Sequence, residues 1–248
     1  MRGFRLTNEY DTSDRVTRQT LADATTYQFI YTIDGGTGKI VQIDTTNPRG
    51  FVRRMTLNTA GYPLTDTRAF GTAVAQTTTS VRQAGSNLIT SMTDALGRRA
   101  DYTYDSMGNT LTVTRLAGTA DAVTTTLTYE PTFSQVASIT DPLNHATTFS
   151  FDAQGNVTTV TNPLGQQTTM TYDGSGQRLT VTTPAGTTTF ANDAGDLAAV
   201  TDPLGNISRP FMDSVGRLVS MILLIVSRNS PLAELRSSAT TRVATCSV

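Results

Sequence analysis

The chain has 248 residues, with 19 Lys and Arg against 20 Asp and Glu, a formal net charge of −1 and a mean hydropathy of −0.18. That balance supplies no basic footprint for nucleic acid or an anionic membrane, and the longest apolar run, Met221 to Val226, falls far short of the roughly 20 residues of a membrane helix. A single cysteine, Cys246, excludes an intrachain disulfide framework.

The first residues, Met1 to Thr7, have a positive start but no apolar core after it, so they do not read as a signal peptide. From there a short phrase recurs. It is seen at Tyr10-Asp11-Thr12-Ser13-Asp14, at Ile33-Asp34 through Gly38-Lys39-Ile40, and at Leu57-Asn58-Thr59-Ala60-Gly61. Gln83-Ala84-Gly85-Ser86-Asn87 is a weak copy, Tyr104-Asp105-Ser106-Met107-Gly108-Asn109 a clear one, and Tyr129-Glu130-Pro131 lacks the glycine. Four more follow: Phe151-Asp152-Ala153-Gln154-Gly155, Tyr172-Asp173-Gly174-Ser175-Gly176, Asn192-Asp193-Ala194-Gly195 and Met212-Asp213-Ser214-Val215-Gly216. The anchors at 11, 34, 58, 83, 105, 130, 152, 173, 193 and 213 stand 23, 24, 25, 22, 25, 22, 21, 20 and 20 apart. A fixed period of this size means an array of supersecondary units, about ten of them over residues 1–220.

A second phrase falls between the anchors, at Thr140-Asp141-Pro142-Leu143, Thr161-Asn162-Pro163-Leu164-Gly165 and Thr201-Asp202-Pro203-Leu204-Gly205. The segments that link the phrases, such as Thr147-Thr148-Phe149-Ser150-Phe151 and Arg178-Leu179-Thr180-Val181-Thr182, alternate apolar residues with threonine. Period-2 alternation of β-branched residues is the pattern of half-buried strands. Both phrases read as turns, in which Asp accepts backbone N–H groups, Gly takes a positive φ and Pro occupies a position that needs no donor. Each unit is therefore a pair of strands and a pair of turns. The expected fold is all-β: antiparallel hairpins in a long sheet that curls or spirals, because twisted sheets rarely exceed about ten strands while staying open. The aromatic residue before each aspartate should land at the same place on successive hairpins and form a ladder of cross-strand contacts, interrupted at Asn192 and Met212.

After Ser220 the pattern stops where another Thr-Asp-Pro-Leu turn is due, and Met221-Ile222-Leu223-Leu224 stands there instead. ATG ATC CTC TTG encodes that tetrapeptide, and the same bases read from the G of ATG give Asp-Pro-Leu. Residues 221–248 are accordingly expected to be an out-of-frame, poorly ordered tail, with at most a turn or two of helix at Ser230 to Arg236.

The regular spacing makes the aspartates turn-capping groups before it makes them metal or acid–base sites. Asp152-Ala153-Gln154-Gly155-Asn156 lacks the alternate oxygen ligands and closing glutamate of a calcium loop, and Gly35-Gly36-Thr37-Gly38-Lys39 lacks the spacing and hydroxyl of a phosphate loop. His145, the only histidine, would have to serve any histidine-based triad, with Asp141 beside it; no nucleophile elbow is present, and it reads as a solvated turn residue. Tyr104, Tyr129, Phe149, Phe151 and Tyr172 read as packing residues, the rival being sugar stacking on an exposed face. No catalytic, cofactor-binding or metal residue is assigned. The structural turn motif comprises Tyr10, Asp11, Tyr104, Asp105, Gly108, Phe151, Asp152, Gly155, Tyr172, Asp173, Gly176, Asp193, Gly195, Asp213 and Gly216.

Tyr-Asp-x-x-Gly followed by Asn or Arg, alternating in register with Thr-Asp-Pro-Leu-Gly, resembles the YD repeats of RHS proteins, which occur also in the C components of insecticidal toxin complexes and in teneurins. The resemblance covers most of residues 10–220. It implies a hollow β-shell that, in bacterial members, encloses a C-terminal toxin delivered by a secretion system or injector in interbacterial competition, and hence a secreted or cell-surface location. Toxin cargo, the remaining shell segments and secretion components are the implied partners; a surface-binding module for glycans or a protein is the alternative. The family's self-cleaving core, with its own Asp-Pro-x-Gly phrases, has no copy here, and the Asp-Pro-Leu phrases at 141 and 202 and the Asn-Pro-Leu phrase at 162 are periodic turns. The chain is expected to be a shell fragment that begins inside a repeat.

Overall fold

The computed structural model describes residues 6–193, 195–212 and 218–224. Twenty antiparallel strands, assigned to one sheet, make up the architecture. Two compact units divide the chain, residues 1–126 and 127–248.

The first unit holds β1 (Thr7–Tyr10), β2 (Val16–Thr20), β3 (Thr26–Ile33), β4 (Ile40–Thr46), β5 (Val52–Leu57), β6 (Pro63–Arg68), β7 (Gln76–Arg82), β8 (Ile89–Thr93), β9 (Arg99–Tyr104), β10 (Thr110–Arg115) and the start of β11 (Val123–Tyr129). The second holds the end of β11, then β12 (Val136–Thr140), β13 (Ala146–Phe151), β14 (Val157–Thr161), β15 (Gln167–Tyr172), β16 (Arg178–Thr183), β17 (Gly186–Asp193), β18 (Asp196–Thr201), β19 (Ile207–Met212) and β20 (Leu218–Leu224). β20 pairs with β19 from Leu218 to Leu224, so the strand runs through the Met221 to Leu224 stretch where the repeat pattern breaks. The turn at Asp213 and Gly216, the segment Ser230 to Arg236 and Cys246 lie outside the described residues.

Alternation sets the two faces. In β13, Phe149 and Phe151 are half-buried while Ala146, Thr148 and Ser150 are exposed; in β15, Met170 and Tyr172 are half-buried while Thr169 and Thr171 are exposed. Phe149 faces Val160 across the ladder, Met170 faces Val181 and Phe190 faces Val200. The other face is a threonine ladder, Thr159–Thr169–Thr182–Thr187 beside Thr171–Thr180–Thr189–Thr201. Many of its hydroxyls bond across strands: Thr56 to Thr65 at 2.6 Å, Thr103 to Thr112 at 2.6 Å, Thr171 to Thr180 at 2.7 Å and Thr182 to Thr187 at 2.9 Å. Such pairs contribute about 0.2–1 kcal/mol each.

Within each unit the strands pack only on their hydrogen-bonded neighbours. A single layer has no interior. Among the described residues only Ala117, Thr67 and Ser91 are buried, and no large side chain is fully enclosed. Ladder hydrogen bonds, cross-strand pairs and turns therefore do what a hydrophobic core does elsewhere, as in quasi-one-dimensional repeat proteins.

The sheet's two edges differ. Eight described hairpins closed by the aspartate phrase carry a register shift next to the turn, as where Phe151 faces Val157 but Ser150 faces Thr159, and the β19–β20 pair carries one between Phe211 and Met212. Hairpins closed at the opposite edge keep one register throughout, as Thr159–Thr169, Val160–Thr168 and Thr161–Gln167. One extra residue on the outgoing strand bends it and strengthens its right-handed twist.

Glycine closes the aspartate turn because its φ is positive, +85° at Gly155 and +77° at Gly165 in the opposite-edge turn. A Cβ on Gly155 would also lie 3.1 Å from Phe133 Cδ2 and from Gln135 Nε2, whereas one on Gly165 meets open space. Gly155→Ala is expected to lower the unfolding free energy by about 1–2 kcal/mol through backbone strain, and by clearly more than Gly165→Ala. Paired thermal and urea melts measure the difference, and equal losses would show that the Phe133 contact yields freely.

Candidate functional site

The recurring constellation in this molecule is the turn, and one geometry serves both phrases. At Asp152 the carbonyl accepts the Gly155 N–H at 3.1 Å and the backbone N–H donates to the Asn156 carbonyl at 2.9 Å. The carboxylate Oδ1 accepts the N–H groups of Gln154 and Asn156, both at 2.9 Å, and Oδ2 accepts the Asn156 amide at 3.0 Å. Asp11, Asp105 and Asp173 repeat this arrangement with the N–H groups two and four residues on. At the opposite edge Asn47, Asp94, Asp141, Asn162 and Asp202 do the same, and at the aspartate-phrase edge so does Asn58. An acceptor that takes two backbone donors is what the turn requires; the charge is secondary.

Variants of the turn show which part is essential. The connections anchored at Asp34, Gln83 and Glu130 are one residue longer, with the anchor N–H bonding the carbonyl of Lys39, Leu88 or Gln135. Where glycine is missing, Asn144, Asn87 and Ser134 hold the positive φ, at 65°, 59° and 55°. Asp193 departs from the pattern: it ends β17 opposite Asp196, and only Ala194 and Gly195 connect the strands.

Two sets of side chains tie each turn to its neighbours. The Tyr172 hydroxyl donates to the Val157 carbonyl at 2.8 Å, Tyr104 to Ile89 at 2.7 Å and Tyr31 to Val16 at 2.8 Å. Every acceptor is the residue that faces the last strand residue of the preceding aspartate turn: Val157 faces Phe151, Ile89 faces Arg82 and Val16 faces Tyr10. Arg82 Nε reaches the equivalent Pro63 carbonyl at 2.9 Å, and the Asn192 amide reaches the Arg178 carbonyl at 3.3 Å. The expected aromatic ladder is thus a ladder of donors. Asn192 continues it rather than interrupting it, because an amide supplies the hydrogen bond that a tyrosine would. In the forward direction the Gln135 and Gln177 amides donate to the carbonyls of Gly155 and Gly195, at 2.9 and 2.6 Å.

The residues with chemical appeal fall into the same scheme. His145 Nδ1 lies 3.0 Å from Asp141 Oδ2, in the place that Arg15, Arg98, Asn109 and Asn206 occupy in other turns. Thr37 N–H and Oγ1 both donate to Asp34 Oδ1 at 2.7 Å, so the Gly35 to Lys39 loop wraps its own carboxylate. Tyr104, Phe149, Phe151 and Tyr172 are half-buried. Among the described residues no group of three or more His, Cys, Asp or Glu is arranged to hold a metal ion.

Repetition also produces a feature that the phrase spacing does not reveal. Arg68-Ala69-Phe70-Gly71-Thr72-Ala73-Val74-Ala75 and Arg115-Leu116-Ala117-Gly118-Thr119-Ala120-Asp121-Ala122 are longer opposite-edge connections of one design. In each, the threonine hydroxyl donates to a carbonyl three residues back at 2.7 Å, and the third residue's N–H donates to β5 or β9, at Val52 (2.8 Å) or Arg99 (3.0 Å). Beside each lies an open cleft, of about 370 Å³ and 420 Å³. The recurring Arg-x-x-Gly-Thr-Ala string is the sequence signal for them.

The carboxylates of Asp11, Asp94, Asp105, Asp141, Asp152 and Asp202 are held below the ordinary value of 3.8. At Asp105, Asp152 and Asp202 the leading cause is the asparagine amide four residues on, at Asp94 the Arg98 side chain, and at Asp11 and Asp141 the backbone N–H of Arg15 and His145; partial desolvation opposes each. A depressed folded pKa contributes stability that is complete above the unfolded value and is lost as the pH falls through the folded one. The melting temperature should therefore be level down to about pH 4.5 and drop steeply below about pH 4. Asp152→Asn keeps the Oδ1 acceptor and should cost little at pH 7 while making the acid loss shallower; Asp152→Ala removes both backbone bonds and should lower the melting temperature clearly more. Tyr172→Phe, which leaves the Val157 carbonyl without its hydroxyl, should cost about 0.5–1.5 kcal/mol. Melts across pH that give Asp152→Asn the same loss as Asp152→Ala would contradict the acceptor account.

A protein-family model described as RHS repeat matches residues 85–120, 133–166 and 151–188. Among solved structures, the chain is similar to TcdB2-TccC3 without its hypervariable C-terminal region, with a TM-score of 0.57 and 14% identity over 88% of this chain and 15% of that one. It is similar also to the Photorhabdus luminescens Tc holotoxin pore with a substituted TccC3, with a TM-score of 0.50 and 16% identity over 90% of this chain and 13% of that one. At such identities the likeness is one of fold, and this chain spans a small part of those chains' length. No protein of curated function matches it.

Proposed function

We propose, from the premise that this chain is an RHS/YD-repeat protein, that it is a structural segment of a β-shell, and that the completed shell walls off a toxic polypeptide for delivery to a competing cell. The observation that carries this reading is the single-layer sheet. Among the described residues almost nothing is buried, and a sheet with two uncovered faces is suited to be a wall. Its recurring carboxylates cap turns and others pair with arginines on the strands, which fits repeats that hold a surface in place rather than perform chemistry on it. The mechanism is steric: the wall separates cargo from solvent, and its mild mixture of threonine and apolar side chains contacts many sequences without selecting one.

A wall segment on its own exposes apolar surface that its full context would cover, including Leu96, Leu143, Leu164 and Leu204 at the turns. The purified chain is expected to enhance the fluorescence of 8-anilinonaphthalene-1-sulfonate and to self-associate in sedimentation velocity as its concentration rises through the micromolar range. A monodisperse monomer that leaves the dye dark and melts at high temperature would sink the segment reading. Specific, saturable retention on a glycan array would instead favour the surface-binding module.

A further inference from the structure

The clefts beside the two Arg-x-x-Gly-Thr-Ala connections are copies of one site. Asn47, Phe51, Val52, Arg53, Arg68 and Ala69 line the first. Asp94, Arg98, Arg99, Ala100, Arg115 and Leu116, each 47 residues further on, line the second. The two are four strands apart in the ladder, from β6 to β10, or about 19 Å at about 4.8 Å per strand.

Charge separates one residue from the rest. Arg53 holds Asp66 with both nitrogens, at 2.8 and 2.6 Å, Arg98 holds Asp94 at 2.7 and 2.6 Å, and Arg99 holds Asp101 at 2.7 Å. Arg68 and Arg115 are exposed. Among the described residues no hydrogen bond or ion pair occupies either guanidinium, and Arg68 acts on Asp66 only at a distance. Each cleft thus keeps one uncompensated positive charge at the same place. Beside it stand apolar walls, Tyr27, Phe51, Val52 and Ala69 in the first and Met92, Ala100, Leu116 and Val123 in the second.

We propose that these twin clefts bind a carboxylate-bearing polypeptide segment, with Arg68 and Arg115 each receiving one acidic side chain and the walls taking the apolar residues beside it. A guanidinium engages a carboxylate through two parallel N–H donors. One net positive charge per cleft suits a monoanion, and volumes of about 370 and 420 Å³ accommodate a side chain with its neighbours. An extended strand advances about 3.3 Å per residue, so acidic residues about six positions apart reach both clefts at once. Bivalent engagement then multiplies two weak contacts. The proposal concerns the first unit alone and stands whether or not the chain belongs to a toxin shell.

The test uses the full chain and a fluorescein-labelled eight-residue peptide of alternating Glu and Leu, with the Gln-Leu peptide as control, read by fluorescence anisotropy. The Glu-Leu peptide should bind, weaken as salt is raised, and outcompete the Gln-Leu peptide at least tenfold. Arg68→Gln and Arg115→Gln should each reduce affinity about tenfold, and the double variant should bring it to the level of the Gln-Leu control. Both side chains are exposed at the last position of their strands, and among the described residues neither guanidinium makes a hydrogen bond or ion pair, so circular dichroism and melting of the variants should match the parent. Failure of the parent to bind, equal binding of the Gln-Leu peptide, or undiminished binding by the folded double variant would each overturn the proposal. Displacement by inorganic phosphate at the peptide's own concentration would overturn it too, by marking a small-anion site in place of a peptide site.

Discussion

A side-chain oxygen that accepts two backbone N–H groups at the head of each turn is the interaction on which the rest of this structure depends. With no core to restrain it, a hairpin here holds its register only if the turn is rigid. The Oδ1 atom of Asp152, Asp202 or Asn162 supplies that rigidity by satisfying two donors that would otherwise face solvent in a strained loop. Aspartate and asparagine serve equally because both present that oxygen. The second carboxylate oxygen then recruits whatever stands four residues on, whether Arg, Asn or His, and closes the loop from outside.

The same turn at both edges does not make the edges alike. A bulge accompanies the aspartate phrase and is absent from the other, and the donor before the next aspartate turn reaches back toward the bulge. Tyr172, Asn192 and Arg82 differ in nearly every property except that each extends an N–H or O–H to that carbonyl. A bulge disturbs the ladder locally, and a side-chain donor arriving from the neighbouring hairpin restores a partner there. The staple therefore couples each repeat to the one before it, which gives a one-layer array its nearest-neighbour cohesion.

Much of this was legible in the sequence because turns are local. The strands, their alternation and the aspartate role follow from spacing and residue type, and β13 to β16 lie where Phe149, Val160, Met170 and Val181 alternate with threonine. The staple was not legible, since it joins residues 14 to 19 apart, and alternation places the tyrosine on a face without saying what its hydroxyl meets. Hence Asn192 reads as an interruption in sequence and as an equivalent in space. The equivalence of the two phrases was hidden by proline, which suggests a different turn where only the residue without a needed donor has changed. The clefts escaped because their period is 47 residues, two repeats, and a ruler set at one repeat passes over it.

Cohesion through turns and staples leaves the faces free. Nothing in the ladder requires a given pair of facing residues beyond compatible size and β-preference, so Thr171 and Thr180 can stand in one unit where Asp44 and Arg54 stand in the other, the latter pair bonded at 2.8 and 2.6 Å. All six Arg–carboxylate pairs of the described residues fall in the first unit. On a strand face packed against a core the same pairs would be buried, at a desolvation cost. In a single layer both faces remain wet, and ion pairs, threonine ladders or arginine clefts can be placed on successive repeats without disturbing the turns that hold them. A string that returns after two repeats stands at an equivalent place on the sheet, as Arg68 and Arg115 do at 47 residues' separation.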